Sequence, residues 1–522
     1  MAIAWNKFLG TVAAFGVLAV PCAGRAQQSA AGDALGITNA SAQAGAPATS
    51  PAQSTRAPVV PTGAAAAPVP PARAAAPAAA ELPIADKPQA DTAALIDARK
   101  SYAIPAAEIV GFDFLLNRFN RRSSDDYNST LSTIRHNLRS AWVVDNDPFQ
   151  INQLGHPYQG SMYHGFARSA GLTYWESLGY TFAGSVAWEI AGEKTPPSKN
   201  DQINTGIGGS FLGEALFRMS NLVLEHGNVP KFWRELAAAA ISPSTGFNRL
   251  AYGERFTPLY PSHDPAYYSR LQLGFSGTSQ NNAGTSTTTL KRNEALADFS
   301  LEYGLPGKPD YSYTRPFDYF AFQATASSAN GFESVATRGL LAGREYEVGA
   351  NYRGVLGLYG SYDYFAPQIF RVSSTALSLG TTGQAWLTQS IALQGTALLG
   401  AGYTAVGTTH GAPGERDYNY GTSPQALLAL RLIFGNQVAL DLTARDYFVP
   451  RAADQRGRTN VARLEAGITW RVSGRHGVTV RYLGTRRDAS FPDLGDRKQI
   501  RGTIGVFYTF LGHERFGAVE WR

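Results

Sequence analysis

The chain has 522 residues and a net charge of +6, with charged residues at only 16% and 54 glycines. So small a net charge over this length gives no basis for a nucleic-acid-binding protein. Low charge combined with abundant glycine and 25 tyrosines is instead typical of strands that face lipid on one side and water on the other.

The chain begins with the pattern of a secretory signal. Lys7 precedes an apolar stretch that ends at Val20, and small residues follow as far as Ala26. The apolar stretch is shorter than the ~20 residues that a membrane-spanning helix needs, so we predict a signal peptide over residues 1–26. Cleavage there removes Cys22, the only cysteine, which excludes disulfides and thiolate chemistry from the mature protein.

A long stretch of low complexity follows the signal. Residues 27–91 are dominated by alanine, proline, serine and glycine. Such a stretch has too little bulky apolar surface to offset the entropy lost on ordering. We therefore predict a disordered linker over residues 27–91.

Residues 92–260 have the pattern of a helical segment. The densest part predicts two helices, over Gly160–Ala191 and over Asp201–Glu225. The second has a clear start, because Pro196 and Pro197 break the chain and Asp201 can cap the helix. Glutamates interrupt both helices, so neither is predicted to cross a membrane.

From residue 261 to residue 522 the pattern changes to period two. In Val461–Val472 the apolar side chains share one face, and Arg463, Glu465 and Arg471 share the other. Similar alternation runs through Val438–Phe448, and the predicted strands are longer than the ~5–6 residues usual in globular sheets. These lengths match the ~9–11 residues that a tilted strand needs to cross a bilayer.

The connections between these strands alternate in length. Gly435-Asn436 is a tight turn, whereas Arg451–Arg458 is long and polar. Short periplasmic turns and longer outer loops are typical of transmembrane barrels. We therefore predict a transmembrane antiparallel β-barrel of about twelve strands in the bacterial outer membrane, reached by export through the periplasm. Its surface would contact outer-membrane lipid, and the helical segment is expected to plug or cap it.

A dense polar motif lies within the helical segment. It opens with Asn152-Gln153-Leu154-Gly155-His156-Pro157-Tyr158-Gln159-Gly160-Ser161 and continues through Trp175-Glu176-Ser177, Trp188-Glu189, Gly192-Glu193 and Gly213-Glu214. This string, from about Trp142 to Ser220, resembles a bacterial family labelled domain of unknown function 3943. The resemblance implies an exported protein and assigns no activity.

Seven polar side chains of this region are candidates for a catalytic or metal site: His156, Ser161, Arg168, Glu189, Glu193, Asp201 and Asn204. One histidine with carboxylates can bind a hard divalent ion, and His156 can act as a general base on Ser161 or on water. In the structural alternative Arg168 pairs with a glutamate, Asp201 caps its helix and His156 bonds a backbone carbonyl. The residues leave both interpretations open, and they name no cofactor.

Two functions therefore compete. The leading hypothesis is a structural or transport-related outer-membrane barrel with a helical plug. The alternative is an outer-membrane hydrolase that acts on an envelope lipid or glycolipid through the His/Glu/Asp cluster. The hydrolase requires His156 to lie within bonding or metal-bridging reach of a carboxylate, in a cleft that solvent can enter.

Overall fold

The computed structural model describes residues 94–122, 124–225, 229–282, 293–367, 371–407, 418–450, 457–492 and 495–521. The predicted signal peptide (1–26) and linker (27–91) lie outside the described residues.

A group of helices precedes the barrel in the chain, and no helix in the described ranges is long and apolar enough to cross a membrane. The α-helices are α1 (Ala103–Asn120), α2 (Leu131–Asn137), α3 (His156–Ser169), α4 (Tyr174–Ala187), α5 (Lys199–Asp201), α6 (Gly209–Glu225), α7 (Lys231–Ile241) and α8 (Pro243–Tyr252). Three π-helical stretches lie between them: Ile151–Gly155, Trp188–Gly192 and Gln202–Gly208.

Where the sequence predicts one helix over Gly160–Ala191, the structure has two, α3 and α4. Gly171 ends the first with a φ of +90°, a left-handed conformation that glycine adopts without steric cost. Thr173 then caps α4 and exchanges hydrogen bonds with Glu176 in a capping box. A helix-stop residue and a helix-start signal thus lie side by side.

Twelve antiparallel strands follow and close into a barrel in which each strand pairs with its neighbours in sequence and β1 pairs with β12. They are β1 (Tyr267–Asn282), β2 (Asn293–Tyr303), β3 (Phe320–Ser327), β4 (Gly331–Val348), β5 (Tyr352–Phe365), β6 (Val372–Trp386), β7 (Ile391–Gly407), β8 (Tyr418–Phe434), β9 (Val438–Val449), β10 (Arg458–Ser473), β11 (His476–Phe491) and β12 (Gly495–Leu511). Closure leaves no edge strand unpaired. The predicted fold class, a twelve-stranded transmembrane-type barrel, is confirmed.

The lumen is identified by ion pairs between strands that are not neighbours in the barrel. Arg270 on β1 meets Asp441 on β9 at 2.6 Å, and Arg431 on β8 meets Glu302 on β2 at 3.3 Å. Only side chains that point inward can meet in this way. The face of each strand that carries these charges is therefore the inner wall.

Little open space remains inside the barrel. The lumen keeps a cavity of about 80 Å³, lined by the charged side chains that bridge it. The chain end folds back to the short-turn end of the lumen, where the Gln384 side chain both donates to the Val519 carbonyl and accepts from its amide. In this structure the barrel interior is filled by its own side chains and by its C-terminal tail.

The opposite strand faces carry apolar side chains, as an outer-membrane barrel requires. On β7 and β1 the outward Leu399 and Phe275 are 71% and 72% exposed. Other outward side chains are buried, because the helical segment covers them. Phe211 of α6 packs against Gly360 of β5, on the face opposite to the lumen-facing Asp363.

The helical segment therefore lies against the outer wall of the barrel, which corrects the expectation that it plugs the lumen or caps its mouth. Its apolar residues form one core with outward strand residues: Leu301, Tyr303, Phe320, Phe322, Val335, Tyr362, Tyr364, Tyr418 and Tyr420. The reason is that these outward positions offer apolar area for burial, whereas the lumen is lined by paired charges.

Candidate functional site

The three π-helical stretches carry or adjoin three of the predicted site residues. His156 follows the first stretch, Glu189 lies in the second, and Asp201 precedes the third. Wider π-helical turns in otherwise α-helical segments are frequent at functional sites. One possible ligand atom from each of the three side chains lies within 4.8 Å of the other two, and His156 Nε2 is 3.7 Å from Asp201 Oδ2.

A loop ahead of α5 holds the two carboxylates. The Ser198 amide donates to Glu189 Oε2 at 2.8 Å, and Ser198 Oγ accepts from the Asp201 amide at 3.2 Å. Ser198 is thus the residue that caps this helix, a role that the structural alternative gave to Asp201. Asn200 Nδ2 donates to Asp201 Oδ1 at 2.9 Å and so fixes the ligand side chain.

The barrel wall supports the same site from the other side. Asn152 donates to the Tyr418 hydroxyl at 2.7 Å, and Asn200 donates to the Tyr420 hydroxyl at 3.1 Å. Both amides also donate to Asp145, at 2.6 and 2.8 Å. We call the set Asp145, Asn152, His156, Glu189, Asn200 and Asp201 the Asp201 cluster.

Burial and like charges dominate the electrostatics of the Asp201 cluster. Burial, and then the charges of nearby carboxylates including Asp145, raises the pKa of Glu189 and of Asp201 well above the usual range. Burial lowers the pKa of His156 to about 4, so its imidazole is neutral at pH 7. The adjoining Glu193 and Asp147 have pKa values raised to about 7 and about 8, first by burial.

The four remaining predicted candidates have other partners. Ser161 Oγ donates to the Tyr158 carbonyl at 2.6 Å, while His156 Nδ1 lies 3.3 Å from Thr205 Oγ1. Among the described residues no hydrogen bond joins His156 to Ser161. Because His156 is only 3% exposed, the solvent-reachable cleft that the hydrolase requires is also missing here.

Glu193 and Asn204 flank the cluster without entering it. Glu193 accepts from Trp188 Nε1 at 2.8 Å and from Thr195 at 3.1 Å. Asn204 Nδ2 donates to the Asn152 carbonyl at 3.0 Å, which ties the third π-helical stretch to the first. Their contacts hold the backbone around the site in place.

Arg168 belongs to a second buried group, at the other end of α3. It contacts Glu214 at 2.7 Å, and Glu214 also meets Arg218 at 2.9 Å and His164 at 3.1 Å. Burial alone would raise the pKa of Glu214, but its cationic neighbours hold it well below the usual range. Arg218 continues to Asp318, next to the barrel, at 3.0 Å. We call these residues the Glu214 cluster; its Arg168 pair is the one that the structural alternative expected.

Sequence reasoning missed part of the Asp201 cluster. Asp145 had a signal, since Asp145-Asn146-Asp147 directly precedes the polar motif. Tyr420 had none, because it lies 220 residues from its partner Asn200 on a strand that reads as ordinary barrel wall.

A second candidate site lies between the helices and the barrel. An apolar cavity of about 780 Å³ separates α6 and α7 from the outward faces of β1 to β4. Its walls include Leu212, Leu216, Met219, Trp233, Leu301 and Phe322. We call it the lateral groove.

One cation lies in the lateral groove. Arg234 lines the groove, and its Nη1 donates to the Leu224 carbonyl at 2.7 Å. Its Nε is buried and has no hydrogen-bond partner within the described part of the chain. The groove therefore offers a long apolar surface with the guanidinium of Arg234 on its wall.

Comparison with known proteins gives one family match, and it lies within the helical segment. Residues 141–244 match the model of a domain of unknown function, DUF3943, which confirms the resemblance seen in the polar motif. None of the curated proteins compared matches the chain.

Solved structures with some likeness to this chain are outer-membrane barrels. An outer membrane channel from Pseudomonas putida F1 is 11% identical over 48% of this chain and 96% of its own, with a TM-score of 0.25. The outer membrane channel DcaP of Acinetobacter baumannii is 8% identical over 47% and 96%, with a TM-score of 0.22. These scores are too low to carry an argument, so the barrel assignment rests on the strand pairing itself.

Proposed function

We propose that the protein is an outer-membrane barrel that binds an anionic lipid in the lateral groove, with the barrel serving as a membrane anchor and as one wall of the site. The proposal rests on a difference in volume and lining between the lateral groove and the lumen cavity. The lateral groove holds about 780 Å³ between apolar walls, whereas the lumen cavity holds about 80 Å³ between paired charges.

The position of the groove supports an acyl chain as occupant. Its floor consists of outward residues such as Leu301 and Phe322, and the outward side chains beside it, Leu271 and Phe332, are 38% and 44% exposed. The groove is thus continuous with the apolar belt of the barrel. In an outer membrane this belt meets hydrocarbon, so lipid tails can enter from the side.

Arg234 supports a lipid with an anionic headgroup. Arg234 is the charged residue that lines the groove, and its guanidinium can donate a charge-assisted hydrogen bond to a phosphate oxygen. The apolar walls and the guanidinium together match an amphipathic ligand with a phosphate. Export through the periplasm, which the N-terminal pattern predicts, belongs to the same proposal.

Native mass spectrometry of the full-length protein, purified from membranes in mild detergent, tests this function. We expect one phosphate-bearing lipid to remain bound through delipidation. Ala237→Trp places an indole in the groove and should lower the retained lipid at least ~10-fold, as a filled apolar site requires. Arg234→Ala should lower retention of phosphate lipids more than that of a neutral lipid.

Leu399→Trp is the matched control, because Leu399 lies on the bare outer belt of β7 and is 71% exposed. It adds the same indole to the lipid-facing surface and should leave retention unchanged. If the two tryptophan variants retain as much lipid as each other, or if the unmodified protein retains none, the lipid-binding proposal is wrong.

A conductance measurement in planar bilayers tests whether the barrel serves as a membrane anchor and not as an open pore. The unmodified barrel should show no open-pore current, because cross-lumen ion pairs and the C-terminal tail fill its interior. Arg431→Ala removes the bridge to Glu302 and Asp441 and should raise conductance. A large, steady current through the unmodified protein would instead establish a diffusion pore.

A further inference from the structure

Two carboxyl groups of the Asp201 cluster, those of Glu189 and Asp201, are each only 2% exposed. In the described ranges, neither an arginine nor a lysine forms an ion pair with Glu189, Glu193 or Asp201, and the one ion-pair geometry is Asp201 with His156. Buried carboxylates in this situation are stabilised either by protons or by a metal ion.

Two oxygens in the cluster, Asn152 Oδ1 and Glu189 Oε1, are buried without a hydrogen-bond partner among the described residues, and the second belongs to a carboxylate. Glu189 is 2% exposed; its Oε2 accepts from Ser198, while Oε1 has no hydrogen-bond partner in the part of the chain that the structure describes. A carboxylate oxygen buried without a donor is costly. One carboxylate oxygen of Glu189 lies within 4.8 Å of a possible ligand atom of His156 and of one of Asp201, and this arrangement points to a cation as the partner.

The geometry fits the coordination of one ion. His156 Nε2 and Asp201 Oδ2 are 3.7 Å apart, too far for a hydrogen bond but close to the spacing of two ligands on one metal. His156 Nδ1 contacts Thr205, which orients the ring and directs Nε2 toward the carboxylates. Asn200 likewise orients Asp201.

We propose that His156, Glu189 and Asp201 bind one divalent transition-metal ion, Zn²⁺ or Mn²⁺. An imidazole nitrogen combined with carboxylate oxygens suits these ions better than Mg²⁺ or Ca²⁺, which prefer oxygen alone. Three protein ligands leave at least one coordination position for another group. This site is independent of lipid binding in the lateral groove.

Metal analysis of the full-length protein tests the site. The protein is stripped with a chelator in detergent, incubated with ZnCl₂ or MnCl₂, desalted and measured by inductively coupled plasma mass spectrometry. We expect about one ion per chain. His156→Ala, Glu189→Gln and Asp201→Asn should each weaken binding by at least ~10-fold in calorimetric titration.

Two controls address misfolding and nonspecific charge effects. Glu189→Gln and Asp201→Asn remove a buried repulsion, so the metal-free variants should unfold at higher denaturant than the unmodified protein. Glu193→Gln removes an equal charge next to the cluster and should leave one ion bound. The inference is overturned if the unmodified protein binds neither Zn²⁺ nor Mn²⁺, or if a folded Glu189→Gln or Asp201→Asn variant binds as tightly as Glu193→Gln.

Discussion

The Glu214 cluster and the Asp201 cluster lie at opposite ends of α3, and both bury ionisable side chains against the same barrel. In the first, Arg168 and Arg218 each contact the glutamate within 3 Å, and the network continues to Asp318. In the second, Glu189 and Asp201 face a neutral imidazole. In the Glu214 cluster the buried carboxylates are balanced by buried guanidinium groups. In the Asp201 cluster the buried carboxylates are balanced only when the cluster takes up protons or a cation.

This difference separates structural from functional burial of charge. A paired network fixes the helices to one another and to the barrel, and it needs nothing more. An unbalanced group destabilises the protein unless protons or a ligand compensate it, so such a group is a candidate binding site. The same helix thus carries a structural cluster at one end and a candidate binding site at the other.

The largest expected effect comes from breaking the Glu214 cluster. Glu214→Ala leaves the buried Arg168 without a carboxylate partner and leaves Arg218 with Asp318 alone, which costs roughly 3–5 kcal/mol. We expect amide hydrogen exchange in α6 to accelerate about 100-fold or more, since each 1.4 kcal/mol is about tenfold.

Glu235→Ala is the control for that variant. Glu235 pairs with Arg249 at 2.8 Å, but it is 31% exposed, so its loss should cost at most ~1 kcal/mol. Equal exchange rates in the Glu214 and Glu235 variants would show that the Glu214 cluster does not hold the helices together.

The next expected effect is that pH changes the contributions of the two clusters to stability in opposite directions. Raised pKa values of about 7 for Glu193 and about 8 for Asp147 mean that folding favours their protonated forms. Their contribution is fully present below the unfolded pKa values and is lost as the pH rises through 7 to 8. Glu214, with a lowered pKa, behaves oppositely and loses its contribution only at acidic pH.

In chelator-treated protein we therefore expect the free energy of unfolding to fall by about 1–3 kcal/mol from pH 6 to pH 9, measured by denaturant titration. The groups acting on Glu193 and Asp147 are Asp126, Asp145, Trp188 and Thr195. Glu193→Gln with Asp147→Asn should remove the share of this slope that comes from Glu193 and Asp147, while Glu189 and Asp201, whose pKa values are also raised, retain theirs. Glu108 on α1 also has a pKa raised to about 8 by burial, so Glu108→Gln measures its separate share. A pH-independent stability in the unmodified protein would contradict the assigned pKa directions.

The smallest expected loss of stability comes from a change in the barrel wall beside the Asp201 cluster. Tyr420→Phe removes a hydroxyl that accepts from Gln153 and from Asn200, but it keeps the ring that stacks on Tyr403. We expect a loss of about 1–2 kcal/mol and weaker metal binding, because Asn200 orients Asp201. Unchanged stability and unchanged metal affinity would mean that the barrel does not support the Asp201 cluster.

Much of the barrel could be predicted from local pattern. In Val461–Val472 and Val438–Phe448 apolar and charged residues alternate, because successive residues of a barrel strand face the lipid and the lumen in turn. The polar motif also marked His156, Glu189 and Asp201 as candidates. The split of one predicted helix at Gly171 was readable in principle, since glycine, threonine and a later glutamate form a stop and a start signal.

The sequence by itself determined that a barrel forms, which strand face is apolar, and which side chains supply the chemistry, because these depend on periodicity and residue type within short stretches. Only the tertiary structure decided that the helical segment lies on the outer wall. The physical reason is that an outward side chain such as Tyr362 occurs at the same spacing along its strand, and has the same apolar character, whether it contacts lipid or a helix. Its contact with Gln153, 209 residues away, depends on the closed barrel and on long-range burial.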